Sequence, residues 1–292
     1  MIIDGKQIAQ EIKNELKLEI EKLISSGQRA PGLGVILVGD DPASQFYVSK
    51  KQQDCRELGI NSFKSVMEAS CTKDQLISII NSYNADAFID GILLQLPLPT
   101  PLRPFTQEIL DCISPNKDVD GLTTINLGRL ITNSATAVLP CTPKGCMELI
   151  SRYGIDVSGK KVLVIGRSLL VGKPLAIMLS NANATVTLAH SQTLNLADEV
   201  KSADIIVAAI GKPEMIPGDW IKPGAVVIDV GINSVISADG SKKILGDVEY
   251  LNASQRASLI TPVPGGVGPM TVAMLLMNTF ELWKKNFNLG SN

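Results

Sequence analysis

The sequence predicts an α/β protein built from two parallel-sheet domains, and three observations carry that expectation. Short apolar segments alternate with segments of helical periodicity, the pattern of βαβ units. The alternation occurs twice, before about residue 97 and again after Pro140, with a Pro- and Asp-rich stretch (97–121) between. The length of 292 residues suits two domains of roughly 150 residues each.

The first helix is read from Ile8, Ile12, Leu16, Ile20 and Leu23, which recur at helical spacing among Lys and Glu and stop near Ser25-Ser26-Gly27. Residues 32–39 form a glycine-bounded apolar run that suits a buried strand. A helix over 44–58, a strand over 63–68, a helix over 73–83 and an apolar strand over 89–96 follow. Residues 97–121 read as loops and short helices. Thr142-Pro143 reads as an N-cap with proline at N1, opening a helix to about Tyr153. Strands over 161–165, 185–189, 204–210 and 225–230, with helices over 172–180 and about 195–202, are short, apolar and spaced as in a doubly wound sheet. A last helix over about 270–287 is apolar enough to be partly buried.

Composition excludes several chemistries. Lys+Arg (27) nearly balances Asp+Glu (29), which argues against a chain that grips a nucleic-acid backbone or an acidic membrane. The single histidine, His190, rules out a His-rich zinc site, and no metal site is expected. The five cysteines form no C-x-x-C pair and read as reduced thiols. No run approaches a membrane span and no signal peptide is visible, so the expectation is a soluble, cytoplasmic protein.

Five segments are candidates for chemistry. Gly166-Arg167-Ser168 through Gly172 joins a strand to a helix, the context of a dinucleotide-binding turn, although its spacing is not the usual G-x-G-x-x-G and an ordinary βα turn stays open. After the next strand the chain offers His190-Ser191-Gln192 in place of an acidic residue. With Arg167 nearby this favours NADP over NAD, unless Ser191 merely caps its loop. Tyr47 and Lys51 are i and i+4 on one helix face, which could desolvate an amine for acid/base work, although local sequence favours a solvated basic face. Gln95 ends an apolar strand where open sheets place ligands, or faces outward at an edge. Lys117-Asp-Val-Asp120-Gly121 reads by default as turns, and Arg129 excludes an EF-hand counted from Asp118. Thr261 to Thr271, with Pro264, Gly265 and Gly268, forms a rigid loop before a helix: a site wall or a structural crossover.

These stretches together resemble the bifunctional methylenetetrahydrofolate dehydrogenase/methenyltetrahydrofolate cyclohydrolase family. The resemblance runs through Tyr-Val-x-x-Lys (47–51), Asp-Gly-Ile-Leu-Leu-Gln-Leu-Pro-Leu-Pro (90–99), Lys-Asp-Val-Asp-Gly (117–121) and Pro-Cys-Thr-Pro (140–143). It continues through Gly-Arg-Ser-x-x-Val-Gly-x-Pro (166–174), Val-Ile-Asp-Val-Gly-Ile-Asn (227–233) and Pro-Gly-Gly-Val-Gly-Pro-Met-Thr (264–271). It implies a folate-binding catalytic domain (1–139, completed by 270–292), a Rossmann-like NADP-binding domain (140–269) and a C-terminal helix that returns to the first domain. It also implies a homodimer acting on tetrahydrofolate derivatives in one-carbon metabolism. By the same resemblance Tyr47 stacks on the pterin, Lys51 is the acid/base of the cyclohydrolase step, Gln95 tunes Lys51, and Asp120 holds the aminopyrimidine edge. Pro264, Gly265 and Gly268 border the substrate, while Gly166, Arg167, Ser168, Ser191 and Ile232 bind NADP. One departure is Gln53, where many members carry a second lysine. It bears on the pH dependence and the balance of the two activities. A dehydrogenase of another small metabolite and a non-catalytic NADP-binding module are the alternatives.

Overall fold

Helix α1 (Gly5–Ser25) buries Ile8, Ile12, Leu16 and Ile20, the stripe read from the sequence. It opens a chain whose computed structural model describes residues 1–236 and 240–287. The chain divides into two compact units. One comprises Glu11–Cys141 with the chain from Leu275 on; the other comprises Met1–Gln10 and Thr142–Met274.

In the first unit, β1 (Gly32–Val38), α2 (Pro42–Leu58), β2 (Asn61–Met67), α3 (Lys73–Ala85) and β3 (Gly91–Leu94) make a three-stranded parallel sheet of order β2-β1-β3. β3 is shorter than the expected 89–96: Leu33–Ile36 pair with Gly91–Leu94, and pairing ends before Pro97, which has no N–H to donate. The stretch that follows holds α4 (Thr106–Leu110) and, unanticipated, α5 (Thr124–Ile131), capped by the Thr123 hydroxyl.

The second unit starts its series with α6 (Cys141–Arg152), whose first residue falls in the other unit, then β4 (Lys161–Ile165), α7 (Gly172–Asn181), β5 (Thr185–Ala189), α8 (Leu196–Ser202), β6 (Ile205–Ala208) and β7 (Val226–Asp229). A hairpin of β8 (Asn233–Ile236) and β9 (Lys242–Leu245), then α9 (Tyr250–Arg256), β10 (Leu259–Ile260) and α10 (Val267–Asn286) complete the chain's regular elements. The sheet is parallel, in the order β10-β7-β6-β4-β5. The chain moves from β4 outward to β5 and then back across to β6, so the sheet's switch point lies at the carboxyl end of β4, where open α/β sheets bind ligands.

Two boundaries differ from expectation. Thr142 does not cap α6 but lies inside it, its hydroxyl bonded to that of Thr271 at 2.9 Å. Helix α10 begins three residues before Met270, because a proline in the first turn (Pro269) has no N–H that the helix needs. The first ten residues join the second unit rather than the segment 1–139: the Ile3 N–H donates to Ile260 O at 2.8 Å and the Lys6 N–H to Gly265 O at 2.9 Å. From Leu275 on, α10 belongs to the first unit. There Asn278 Nδ2 donates to Val119 O at 2.8 Å, Asn286 Nδ2 donates to Asp90 Oδ1 at 2.9 Å, and Trp283 is fully buried. No helix of the described residues is long and apolar enough to cross a membrane.

Candidate active site

Helix α2 is held at both ends. Asp41 accepts from the Ser44 N–H at 2.8 Å, Pro42 fills the first turn, and Gly59 closes the helix in the left-handed conformation. These caps set the register in which Val48 and Cys55 point into the core while Tyr47 and Lys51 share another face. Tyr47 is 46% exposed and Lys51 is half-buried. Lys51 Nζ donates to Gln95 Oε1 at 2.9 Å. The Gln95 amide is oriented from its other end, where Nε2 donates to Leu96 O at 2.7 Å, and its backbone N–H donates to Ile36 O at 2.9 Å. Gln95 is thus neither a buried strand residue nor an outward edge residue; it meets the amine directly.

The 117–121 segment runs beside β3, with the Ile92 N–H donating to Lys117 O at 2.6 Å. Asp118 is buried and accepts from the Thr123 N–H and from Asn126 Nδ2, both at 2.9 Å, which anchors the segment. Gly121 turns with φ 65°, and a Cβ there would come within 2.5 Å of the Val138 carbonyl oxygen. So held, Asp120 lies within the electrostatic reach of Lys51. Burial pushes its carboxyl group up from the usual range, opposed by the Lys51 charge and a bond from the Cys141 thiol, and reinforced by Asp118. The structure therefore brings Lys51, Gln95 and Asp120 together, with Tyr47 one turn away on α2. Gln53 is exposed and bonds Glu57 at 2.9 Å.

The other eight candidates fall in the second unit. Gly166 follows β4 with φ 125°, and a Cβ there would run into the Ala209 carbonyl; a Cβ on Gly172 would run into the Gly166 carbonyl. Only glycine permits this packing of turn against helix and neighbouring strand. Ser168 Oγ accepts from the Val171 N–H at 3.1 Å, and Arg167 is exposed beside it. Ser191 is exposed just past β5. The turn around it is closed instead by Thr193 Oγ1, which accepts from the His190 N–H at 2.8 Å, and by His190 Nδ1, which accepts from the Gln192 N–H at 3.2 Å. Ile232 is 54% exposed, and a Cβ on Gly268 would stand 3.3 Å from its Cδ1, so the proline-glycine loop lies against this segment. Gly265 has φ 108° and Pro264 is exposed.

Sequence reasoning singled out neither Asp247 nor the buried role of Asp118 and Asp229. Each is a buried carboxylate that collects backbone N–H groups, and only a single glycine close by in sequence (Gly121, Gly231 or Gly246) hints at that. Among the described residues, no group of three or more His, Cys, Asp or Glu side chains is arranged to hold a metal ion.

Comparison with known proteins gives a consistent answer. Residues 3–120 match the catalytic-domain family "Tetrahydrofolate dehydrogenase/cyclohydrolase", and residues 140–287 match the NAD(P)-binding domain of the same name. A bifunctional protein FolD from Magnetococcus marinus is 52% identical over 99% of each chain. A crystal structure of the bifunctional FolD from Campylobacter jejuni superposes with a TM-score of 0.93 at 44% identity, covering 98% of this chain and 99% of that one. The Trypanosoma brucei FolD, solved in complex with NADP cofactor and an inhibitor, gives 0.93 at 39% identity and 98% coverage of both. With both domain families matched in order and identity spread over the full length of such relatives, this chain belongs to the tetrahydrofolate dehydrogenase/cyclohydrolase family.

Proposed function

We propose that two residue sets divide the work of this enzyme. Tyr47, Lys51, Gln95 and Asp120 act on the folate, while Gly166, Arg167, Ser168, Ser191 and Ile232 hold NADP. As a tetrahydrofolate dehydrogenase/cyclohydrolase, the chain oxidises 5,10-methylenetetrahydrofolate to the methenyl cation and hydrolyses that cation to 10-formyltetrahydrofolate. The reading of the folate set rests on one observation above all, the 2.9 Å bond between Lys51 Nζ and Gln95 Oε1 beside Asp120.

NADP+ supplies the hydride acceptor. The glycine turn at 166 lies at the carboxyl end of β4 and leads into a helix, a place that suits a pyrophosphate, and its packing against the Ala209 carbonyl leaves no room for a Cβ. Arg167 and Ser191 are both exposed at the switch point and no carboxylate ends β5, which supports the 2′-phosphate cofactor over NAD. Tyr47 offers an exposed ring for stacking on the pterin, and Asp120 offers a carboxylate to paired N–H donors. Pro264, Gly265 and Gly268 wall the substrate. In the second reaction water adds to the methenyl carbon and loses a proton to the Lys51 amine. The resulting ammonium returns that proton to N5 as the bond from N5 to the carbon breaks, and the remaining hydroxyl proton is released to water as the formyl carbonyl forms. The chain's single imidazole is bonded through Nδ1 to its own loop, which supports Lys51, the acid/base implied by the family resemblance, as the group that moves that proton.

Replacing Lys51 with Met tests the reading. Hydrolysis of methenyltetrahydrofolate should fall by about 10²–10⁴ while NADP+ binding is retained. Undiminished hydrolysis would remove Lys51 from the mechanism. NADPH formation measured in parallel with NAD+ reduction tests the cofactor choice. Family membership leaves no support for a dehydrogenase of another metabolite or a non-catalytic NADP module. We further read the protein as a cytoplasmic homodimer serving purine, methionine and histidine biosynthesis, with the dimer open to light scattering.

A further inference from the structure

The loop after β6 turns three successive backbone N–H groups onto one carboxylate. Asp247 Oδ2 accepts from Ile210 N at 2.5 Å and from Gly211 N at 2.9 Å, and Oδ1 accepts from Lys212 N at 3.0 Å. Convergent amides of this kind form an anion-binding nest, and here the anion is part of the chain. The same Oδ1 accepts from Asn233 Nδ2 at 2.8 Å. Gly231 packs so closely that a Cβ there would run into the Asp247 carboxylate. Ile232 is therefore flanked on both sides by residues that bear on Asp247.

Asp247 is completely buried. Its own position is fixed by Asp229, whose carboxylate accepts from the N–H groups of Gly231, Asp247 and Val248, each at 2.9 Å. The loop reaches the glycine turn from its other end. The Ala209 N–H donates to Ile165 O at 2.8 Å, and the Ala209 carbonyl occupies the space that a Cβ on Gly166 would need. One buried side chain thus ties together the loops that follow β6 and β7 and, through Ala209, the turn that follows β4.

We propose that Asp247 is a positioning residue for the dinucleotide, holding the 210–212 and 231–233 loops in the shape that receives NADP. The inference rests on the reading above that the Gly166 turn and Ile232 contact that cofactor. Asparagine at 247 would offer one acceptor oxygen where four donors converge, and its amide N–H groups would face two of them. The loops would then lose half their attachments with almost no change in side-chain volume.

The test uses the full chain, with Asp247→Asn and, as a milder variant that removes only the bond at 2.8 Å, Asn233→Ala. NADP+ affinity is measured by titration, the KM for NADP+ and kcat by NADPH formation, and the cyclohydrolase rate with methenyltetrahydrofolate and no cofactor. Asp247→Asn should weaken NADP+ binding and raise its KM by about tenfold or more, the scale of a lost charged hydrogen bond. Asn233→Ala should do the same to a smaller degree. In both, kcat at saturating NADP+ and the cofactor-free cyclohydrolase rate should stay within about twofold of wild type. Unchanged NADP+ affinity in both variants would overturn the proposal. So would a parallel fall of NADP+ affinity and cyclohydrolase rate in step with the folded fraction, which marks a purely structural residue. A wild-type chain that does not bind NADP+ would instead defeat the cofactor reading itself, and the proposal with it.

Discussion

Replacing Gln95 with Glu puts a full negative charge where a neutral amide now meets Lys51 Nζ at 2.9 Å. Two unit charges at that separation attract by about 6 kcal/mol at an effective dielectric of 20 and by about 1.5 kcal/mol in bulk water. Lys51 is half-buried, so the smaller value is a floor. Every 1.4 kcal/mol or so is a factor of ten in a proton equilibrium, and the charge favours the ammonium over the amine that the proposed mechanism requires. The pH at half-maximal cyclohydrolase rate should therefore rise by at least about one unit, with the rate at neutral pH falling about tenfold or more. The glutamate also gives up the bond that Gln95 Nε2 donates to Leu96 O, so Gln95→Leu serves as the uncharged control. That control should slow hydrolysis without the same upward displacement of the profile. The assay is the decay of methenyltetrahydrofolate from pH 6 to 10, corrected for uncatalysed hydrolysis. A Gln95→Glu profile that is lower everywhere but not displaced would refute the reasoning, because Gln95 would then be a prop rather than an electrostatic partner of Lys51.

Two further outcomes concern stability. Asp90 has a fully buried side chain, takes both Arg29 guanidinium nitrogens at 2.7 Å, and accepts from the Gly32 N–H at 2.8 Å, so Asp90→Ala leaves the guanidinium without its counter-charge and with only the Ala30 and Ala87 carbonyls as acceptors. It should cost about 3–5 kcal/mol by denaturant unfolding, and a loss below about 1 kcal/mol would show that the pair does not hold β1 to its neighbours. Burial raises the Asp229 carboxyl to about 6 against its ordinary 3.8. The folded protein therefore binds a proton more tightly than the unfolded chain, and this contribution is fully present below about pH 4 and lost as the pH rises through about 6. Asp229→Asn should remove that downward slope between pH 4 and 6, and identical slopes in the two proteins would contradict it.

Much of this was legible in the sequence because it rests on local patterns. The α1 stripe, the glycine-bounded β1 and the strand–turn–helix at Gly166 announce themselves by periodicity and by residues that have no substitute. What escaped is what depends on distant partners. α9 buries one small residue, Ala253, and β10 is two residues long, so neither carries a periodic signal. The alliance of Lys51 with Gln95 spans 44 positions in sequence, and local reading favoured a solvated basic face. The Lys-Asp-Val-Asp-Gly segment looked like a turn. A turn does form at Gly121, but only the burial of Asp118 shows that the segment is a strut beside β3.

A near-neutral net charge conceals how both units use their acids. Asp118 gathers the N–H groups that follow it and the amide of Asn126, and the next acid along, Asp120, is thereby presented to Lys51. Asp247 gathers the N–H groups of one loop and the amide of Asn233, and Ile232 is thereby presented from the carboxyl end of β7. In each case a carboxylate sealed in the interior fixes the backbone beside a more accessible residue, the one to which the proposed ligand contact is assigned. A carboxylate does this better than an amide because its two oxygens accept from several donors at once and need donate nothing in return. The cost of burying its charge is offset by those convergent N–H groups. Chemistry assigned to the accessible members should thus be sensitive to buried neighbours that never touch the folate or the cofactor. Asp118→Asn should disturb cyclohydrolysis with NADP+ binding intact, the converse of what Asp247→Asn should do.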